Sequence, residues 1–212
     1  MKTINKILNI SFTILLLSFI SCSNEEEQEQ EMVVLEPLKS EQITNFAAPQ
    51  TGGMGEPIGG EFSKFDFENG AKTSSETDWD IAFRGTTICI NGGVSTGTAD
   101  EPTRNGNAGA VIVSGTFDSV ITAEGLTFLQ DAEGSFAIPT GSDNGWYNYN
   151  RQTFTISPIP GKVLVFRTRD GRYAKVEILS YYLDQDSSNT RGGRHYTFNY
   201  VFNPNEGETS LQ

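Results

Sequence analysis

At 212 residues the chain has room for one globular domain and some extended segments. Its formal charge of −12 excludes nucleic acid and anionic lipid headgroups as partners, because both need a cationic face. With 22 glycines, 14 phenylalanines and 7 tyrosines, the composition favours β structure over long helices.

The first 21 residues read as an export signal. Lys2 and Lys6 supply a positive start, and the apolar run from Ile7 to Ile20 is too short to span a bilayer. Ser21-Cys22 then places a small residue before a cysteine, the layout of a bacterial lipoprotein signal in which the Cys22 thiol is acylated. Phe19 departs from the leucine usual three places before that cysteine. The expected address is the outer membrane, held only by the lipid and exposed at the cell surface. Residues 22–40 form an acidic tether, opened by Ser23-Asn24-Glu25-Glu26-Glu27, that cannot bury enough apolar surface to fold. This run resembles the acidic export tag of surface lipoproteins.

A single antiparallel, all-β domain is expected over 41–204, followed by a polar tail at 205–212. Apolar and polar residues alternate in Phe65-Asp66-Phe67 and in Trp79-Asp80-Ile81-Ala82-Phe83. In the second run the period of two puts Trp79, Ile81 and Phe83 on one face, with Asp80 and Arg84 on the other. With Cys22 acylated, Cys89 has no partner for a disulfide, and its isoleucine neighbours predict a buried, inert thiol within a strand. The stretch Asn91–Gly109 is rich in Gly, Asn, Ser and Thr, has no periodicity, and predicts a functional or mobile loop. It lacks the GK[ST] ending of a phosphate-binding loop. Ala110-Val111-Ile112-Val113 reads as a strand.

In Asp143–Arg151 the aromatics Trp146, Tyr147 and Tyr149 alternate with amides, a pattern that suits either a binding loop or an edge strand. Lys162–Arg167 and Tyr173–Leu179 flank Thr168-Arg169-Asp170-Gly171-Arg172, whose Asp-Gly accepts the positive φ of a hairpin turn. The final strand, Tyr196–Phe202, puts four aromatics on one face, and His195 belongs with Thr197 and Asn199 on the other.

His195 is the only histidine, so any Ser-His-Asp or Cys-His machinery would have to use it. No second histidine or paired cysteine completes a zinc site, and the aspartates lack calcium-loop spacing. The expectation is a binding protein and not an enzyme.

The Trp79–Phe83 strand, the hairpin Val163–Arg167 with Asp170-Gly171-Arg172-Tyr173-Ala174-Lys175-Val176-Glu177-Ile178-Leu179, and the closing Tyr196–Tyr200 resemble the HmuY family of haem-binding surface lipoproteins. The order of parts also matches, from lipoprotein signal through acidic tether and Gly145-Trp146 to hairpin and final strand. The resemblance implies a hand-shaped β fold that grips haem between loops at one end. It also implies delivery of the haem to an outer-membrane receptor of the TonB-dependent kind, in iron acquisition. Family members hold the iron with two axial histidines or methionines, one of them just after the Gly-Trp segment. Here that place falls near Arg151, whose protonated guanidinium cannot ligate iron, and no histidine or methionine lies between Met54 and His195. The remaining candidates for the ligand site are Trp146, Tyr147 and Tyr149 for stacking, Arg151 for a propionate, and His195 or a tyrosinate for the iron. Two readings stay open: a haem or related tetrapyrrole carrier, or the same fold serving another ligand or protein contacts at the cell surface.

Overall fold

The computed structural model describes residues 34–53 and 55–212. The signal, Cys22 and most of the tether lie outside these residues. The strands in chain order are β1 (Lys39–Ala47), β2 (Thr51–Gly53), β3 (Glu56–Gly59), β4 (Ser63–Asp66), β5 (Ala71–Thr73), β6 (Ile81–Arg84), β7 (Thr87–Ile90), β8 (Gly109–Ser114), β9 (Tyr147–Asn150), β10 (Thr155–Pro158), β11 (Lys162–Arg167), β12 (Tyr173–Tyr182) and β13 (Gly193–Asn203). They form a five-stranded sheet, β1-β13-β12-β11-β8, a four-stranded sheet, β5-β4-β6-β7, and the small hairpins β2-β3 and β9-β10. All pairings within these sheets are antiparallel. The protein is all-β, as its composition and alternation predict.

The core lies between the two larger sheets. The four aromatics expected on one face of the last strand, Tyr196, Phe198, Tyr200 and Phe202, are each at most 1% exposed. They meet rings of the other sheet: Phe198 lies 5.4 Å from Phe65 and 5.8 Å from Phe83, and Phe67 stacks 6.4 Å from Phe202. Edge-to-face and offset pairs of this kind contribute about 0.5–1.5 kcal/mol each beyond the area they bury. Cys89 is fully buried in β7, and burial pushes its thiol well above the ordinary range, as expected of an inert cysteine.

The β11–β12 hairpin forms where the sequence places it, with Arg167 opposite Tyr173 and Leu164 opposite Val176. Gly171 sits in the turn at φ 93°, and its amide donates to the Thr168 carbonyl at 3.1 Å. A side chain at Gly171 would touch nothing within 4 Å, so only the backbone opposes one. Gly171→Val is therefore expected to cost about 1–3 kcal/mol, the strain of a β-branched residue at positive φ. Thermal denaturation checks this; an unchanged Tm would remove the turn argument.

Several expectations need correction. Trp79 precedes β6 and packs with Phe62, Ala82 and Cys89, away from Ile81 and Phe83. The opposite face of this run is not solvated either, because Asp80 and Arg84 are 1% and 3% exposed. Arg84 lies over the Phe62 ring at 4.2 Å and donates to the carbonyls of Gly60 and Ala99 and to Thr98 Oγ1.

The acceptors that meet Arg84 come partly from the Asn91–Gly109 segment. That segment is a fastened cover, not a free loop. Asn91 Oδ1 accepts from the amides of Asn105 (2.8 Å) and Gly106 (3.0 Å), while its Nδ2 donates to the Trp79 carbonyl at 2.9 Å. Arg104 bridges Glu101 at 2.5 Å and Asp131 at 2.8 Å. Burial opposes ionisation of Glu101, but hydrogen bonds from Thr96 and Thr98 outweigh it and hold the carboxyl at about 2. Composition signals irregular backbone there, and hydrogen bonding from side chains supplies the order that periodicity lacks.

The ends differ as well. β1 starts at Lys39, inside the stretch assigned to the tether. Its outward residues are polar because it is an edge strand, so alternation is hidden and only Phe46 is fully buried. The last residues are not a free polar tail. Leu211 is 0% exposed, packs with Val120, Val163 and Val165, and donates its amide to the Ile121 carbonyl at 2.8 Å.

Candidate functional site

At one end of the five-stranded sheet four stretches of chain surround a cleft of about 630 Å³. Its walls come from Ala47, Pro49 and Gln50 after β1, Phe154 and Ile156 of the β9–β10 hairpin, Tyr181 and Tyr182 at the end of β12, and Thr190–His195 leading into β13. Arg191, Arg194 and His195 line it, and no carboxylate does among the described residues. On a chain of net charge −12 this is a local cationic, aromatic-walled recess.

His195 pairs across the ladder with Ala47 and stands half-buried at the rim, on the side of β13 that period-two alternation gives it. Its Nδ1 lies 3.1 Å from the Gly192 carbonyl and 3.0 Å from the Gly193 carbonyl. Carbonyls only accept, so Nδ1 carries the proton and donates. In the neutral ring this leaves the Nε2 lone pair unprotonated and fixes the ring's orientation, the state a metal-ligating imidazole requires.

Arg194 adopts a left-handed backbone, φ 69°, and donates through Nη1 to the Gln50 carbonyl at 2.8 Å. Tyr182 OH accepts the Ile156 amide at 2.8 Å, which ties the β9–β10 hairpin to β12. Burial pushes the Tyr181 phenol up to about 12, against the pull of the Arg194 guanidinium. Tyr181 is therefore a neutral hydrogen-bonding group at neutral pH and a poor source of tyrosinate.

The residues picked from the sequence divide here. His195 lines the cleft. Trp146 and Tyr147 lie behind it, 2% and 8% exposed, so their expected role as stacking surfaces is not open to them. The Trp146 ring is enclosed by Tyr147 at 4.9 Å, Tyr196 at 5.2 Å and Tyr181 at 6.0 Å, and its Nε1 donates to the Thr86 carbonyl. The aromatic-amide segment forms β9, which is buried only at Tyr147, and the Trp146 indole just before it braces Tyr181 from behind. Tyr149 is 40% exposed on β9, directly opposite Ile156. Arg151 is exposed in the hairpin turn and is not among the cleft's lining residues.

Phe154, Tyr181, Arg191 and Arg194 went unmarked in the sequence. Phe154 lies three residues beyond the aromatic-amide segment, which is the one signal that could have pointed to it.

A second cleft of about 460 Å³ lies beside β4 and β5, lined by Glu61, Phe62, Lys64, Lys72, Glu76 and Asp100 among others. Its charges are mixed, and Lys64 is already paired with Glu76 at 2.7 Å. It offers no imidazole. Among the described residues no three His, Cys, Asp or Glu side chains converge on a metal position.

Comparison with known proteins gives the family. Solved structures similar to this chain include the apo HmuY analogue of Tannerella forsythia, at 13% identity and TM-score 0.46, over 81% of this chain and 99% of that one. Others are a Bacteroides vulgatus protein described as HmuY-like and haem-binding (14% identity, TM-score 0.44, 77% and 90% covered) and a Bacteroides fragilis protein described as a lipoprotein (13%, 0.42, 79% and 90%). No curated protein matches. The model of the HmuY protein family matches residues 59–200, more than half of the chain, from the end of β3 to most of β13. The chain belongs to the HmuY family.

Proposed function

We propose that this chain is a non-catalytic surface lipoprotein that binds haem, or a related tetrapyrrole, in the His195 cleft for iron acquisition. The observation that carries the reading is the placement of His195: Nδ1 lies within hydrogen-bond reach of two backbone carbonyls, so that in the neutral ring Nε2 carries the lone pair, in a recess lined by arginines and aromatics. Haem brings an electrophilic iron, a flat apolar macrocycle and two propionates, and each has a complement here. Nε2 would take the iron. Arg191 and Arg194 would face the propionates, a pairing suited to their forked donors. Phe154 and Ile156 would cover the macrocycle and exclude water. With Tyr181 held neutral, the described residues supply one strong axial ligand, so a high-spin or mixed-spin ferric spectrum is expected, unlike the low-spin spectrum of a bis-histidine site. Titration of haemin into the purified protein tests the reading: a saturable Soret shift supports it. The absence of one would favour the same fold serving another ligand.

The anchor and address complete the proposal: Cys22 carries the lipid, and the tether presents the domain to an outer-membrane receptor. Cys22→Ala is expected to move the protein from the membrane fraction to the soluble fraction. A Cys22→Ala protein that stays membrane-bound would overturn the anchor.

A further inference from the structure

We infer that Phe154 is a ligand-contacting, specificity-determining residue, whose ring recognises the flat face of the bound tetrapyrrole independently of the iron. The inference rests on the haem reading above and adds to it the residue that selects the macrocycle.

Three observations meet at Phe154. It closes the loop between β9 and β10, where Asn150 and Thr155 form the last pair, and its φ is 58°. Left-handed backbone is costly for a bulky side chain and free of strain for glycine. Among the described residues most positive-φ positions are glycine, Gly161 at 72° and Gly171 at 93° among them; of the seven that are not, four are Asn or Asp, which tolerate this backbone, and Phe154 is the one aromatic. Nothing in the turn itself asks for an aromatic, since its amides at Gln152 and Thr153 are satisfied by Asn150 Oδ1.

Phe154 is also 68% exposed, while Tyr181 and Tyr182, the other aromatics lining the cleft, are 6% and 3% exposed. It therefore contributes little burial to the fold that could offset its backbone strain. Finally, that exposed ring lines the same cleft as His195 and the two arginines. A strained, solvated aromatic at the mouth of a cationic recess is placed for a partner with a π-face. Strain held at such a position points to a role in binding.

The test separates ring recognition from iron ligation by using two probes, haemin and iron-free protoporphyrin IX. Phe154→Gly is expected to raise Tm by a few degrees, because glycine relieves the backbone. The same change is expected to weaken both probes by about tenfold, the scale of one aromatic contact. Phe154→Tyr is expected to keep both affinities, and His195→Ala to weaken haemin while sparing protoporphyrin IX. A Phe154→Gly protein with unchanged affinity for protoporphyrin IX, or with a lowered Tm, overturns the assignment while leaving His195 and the haem reading standing. If the unmodified protein binds neither probe, the haem reading falls and Phe154 with it.

Discussion

His195→Ala is expected to reduce haemin affinity roughly 100-fold and to abolish the Soret shift that marks axial ligation, at little cost to Tm. The loss corresponds to about 2.7 kcal/mol, the scale on which metal sites respond when ligand geometry is removed. The effect should be large because no other histidine exists in the chain and Tyr181 is held as a neutral phenol. It should be local because the ring is only half-buried at a rim and bonds nothing beyond its own turn, Gly192 and Gly193. Optical titration with denaturation curves of the same samples checks both parts. An alanine variant that binds haemin as tightly as the unmodified protein would place the iron ligand elsewhere.

The largest effect on stability is expected at Arg169, far from the cleft. The β11–β12 turn reaches across to the four-stranded sheet, where Arg169 Nη1 meets Asp66 Oδ1 at 3.2 Å and Asp80 Oδ2 at 3.1 Å. The Arg169 amide also donates to Asp80 Oδ1 at 3.0 Å, and the Phe67 amide to Oδ2 at 3.0 Å. Both aspartates are essentially buried. Burial pushes the Asp80 carboxyl up to about 6 even with these hydrogen bonds and the guanidinium opposing it. Arg169→Ala leaves two buried carboxylates without their cation, which costs about 3–5 kcal/mol and on the order of 10 °C in Tm.

The pH dependence of that loss has a definite sign. A carboxyl whose folded pKa lies above its unfolded value stabilises the fold at low pH and loses that contribution as pH rises through the folded value. Removing Arg169 raises the Asp80 carboxyl further, so the variant's deficit should shrink as pH falls from 8 toward 5. Thermal melts of both proteins across this range test it. A Tm within 1 °C or so of the unmodified protein at pH 8 would show the cluster to be energetically idle.

These two regions differ in how far the sequence discloses them. The hairpin and the last strand were readable because alternation, Asp-Gly and four aromatics at period two each encode a local geometry. Cys89 and the rim position of His195 followed from the same periodicity. The Arg169 cluster did not, since its partners lie 89 and 103 residues away in the chain. Alternation could put Asp80 on the face opposite Ile81 and Phe83 but could not show what meets it there. Trp146 looked like a stacking surface because sequence shows a ring but not the rings already against it. Phe154 was silent because what sets it apart is a dihedral angle, and β1 because an edge strand wears polar residues on its open side. The proposed site is therefore half legible: the sequence offers its imidazole as the single histidine, while the walls of the cleft depend on which turns the topology gathers around it.

Iron-edge anomalous diffraction from crystals of the haemin complex tests the central claim most directly. The account predicts one iron peak in the cleft between Phe154 and Thr190–His195, at bonding distance from His195 Nε2. Iron bound elsewhere on the protein, with that cleft empty, would contradict it.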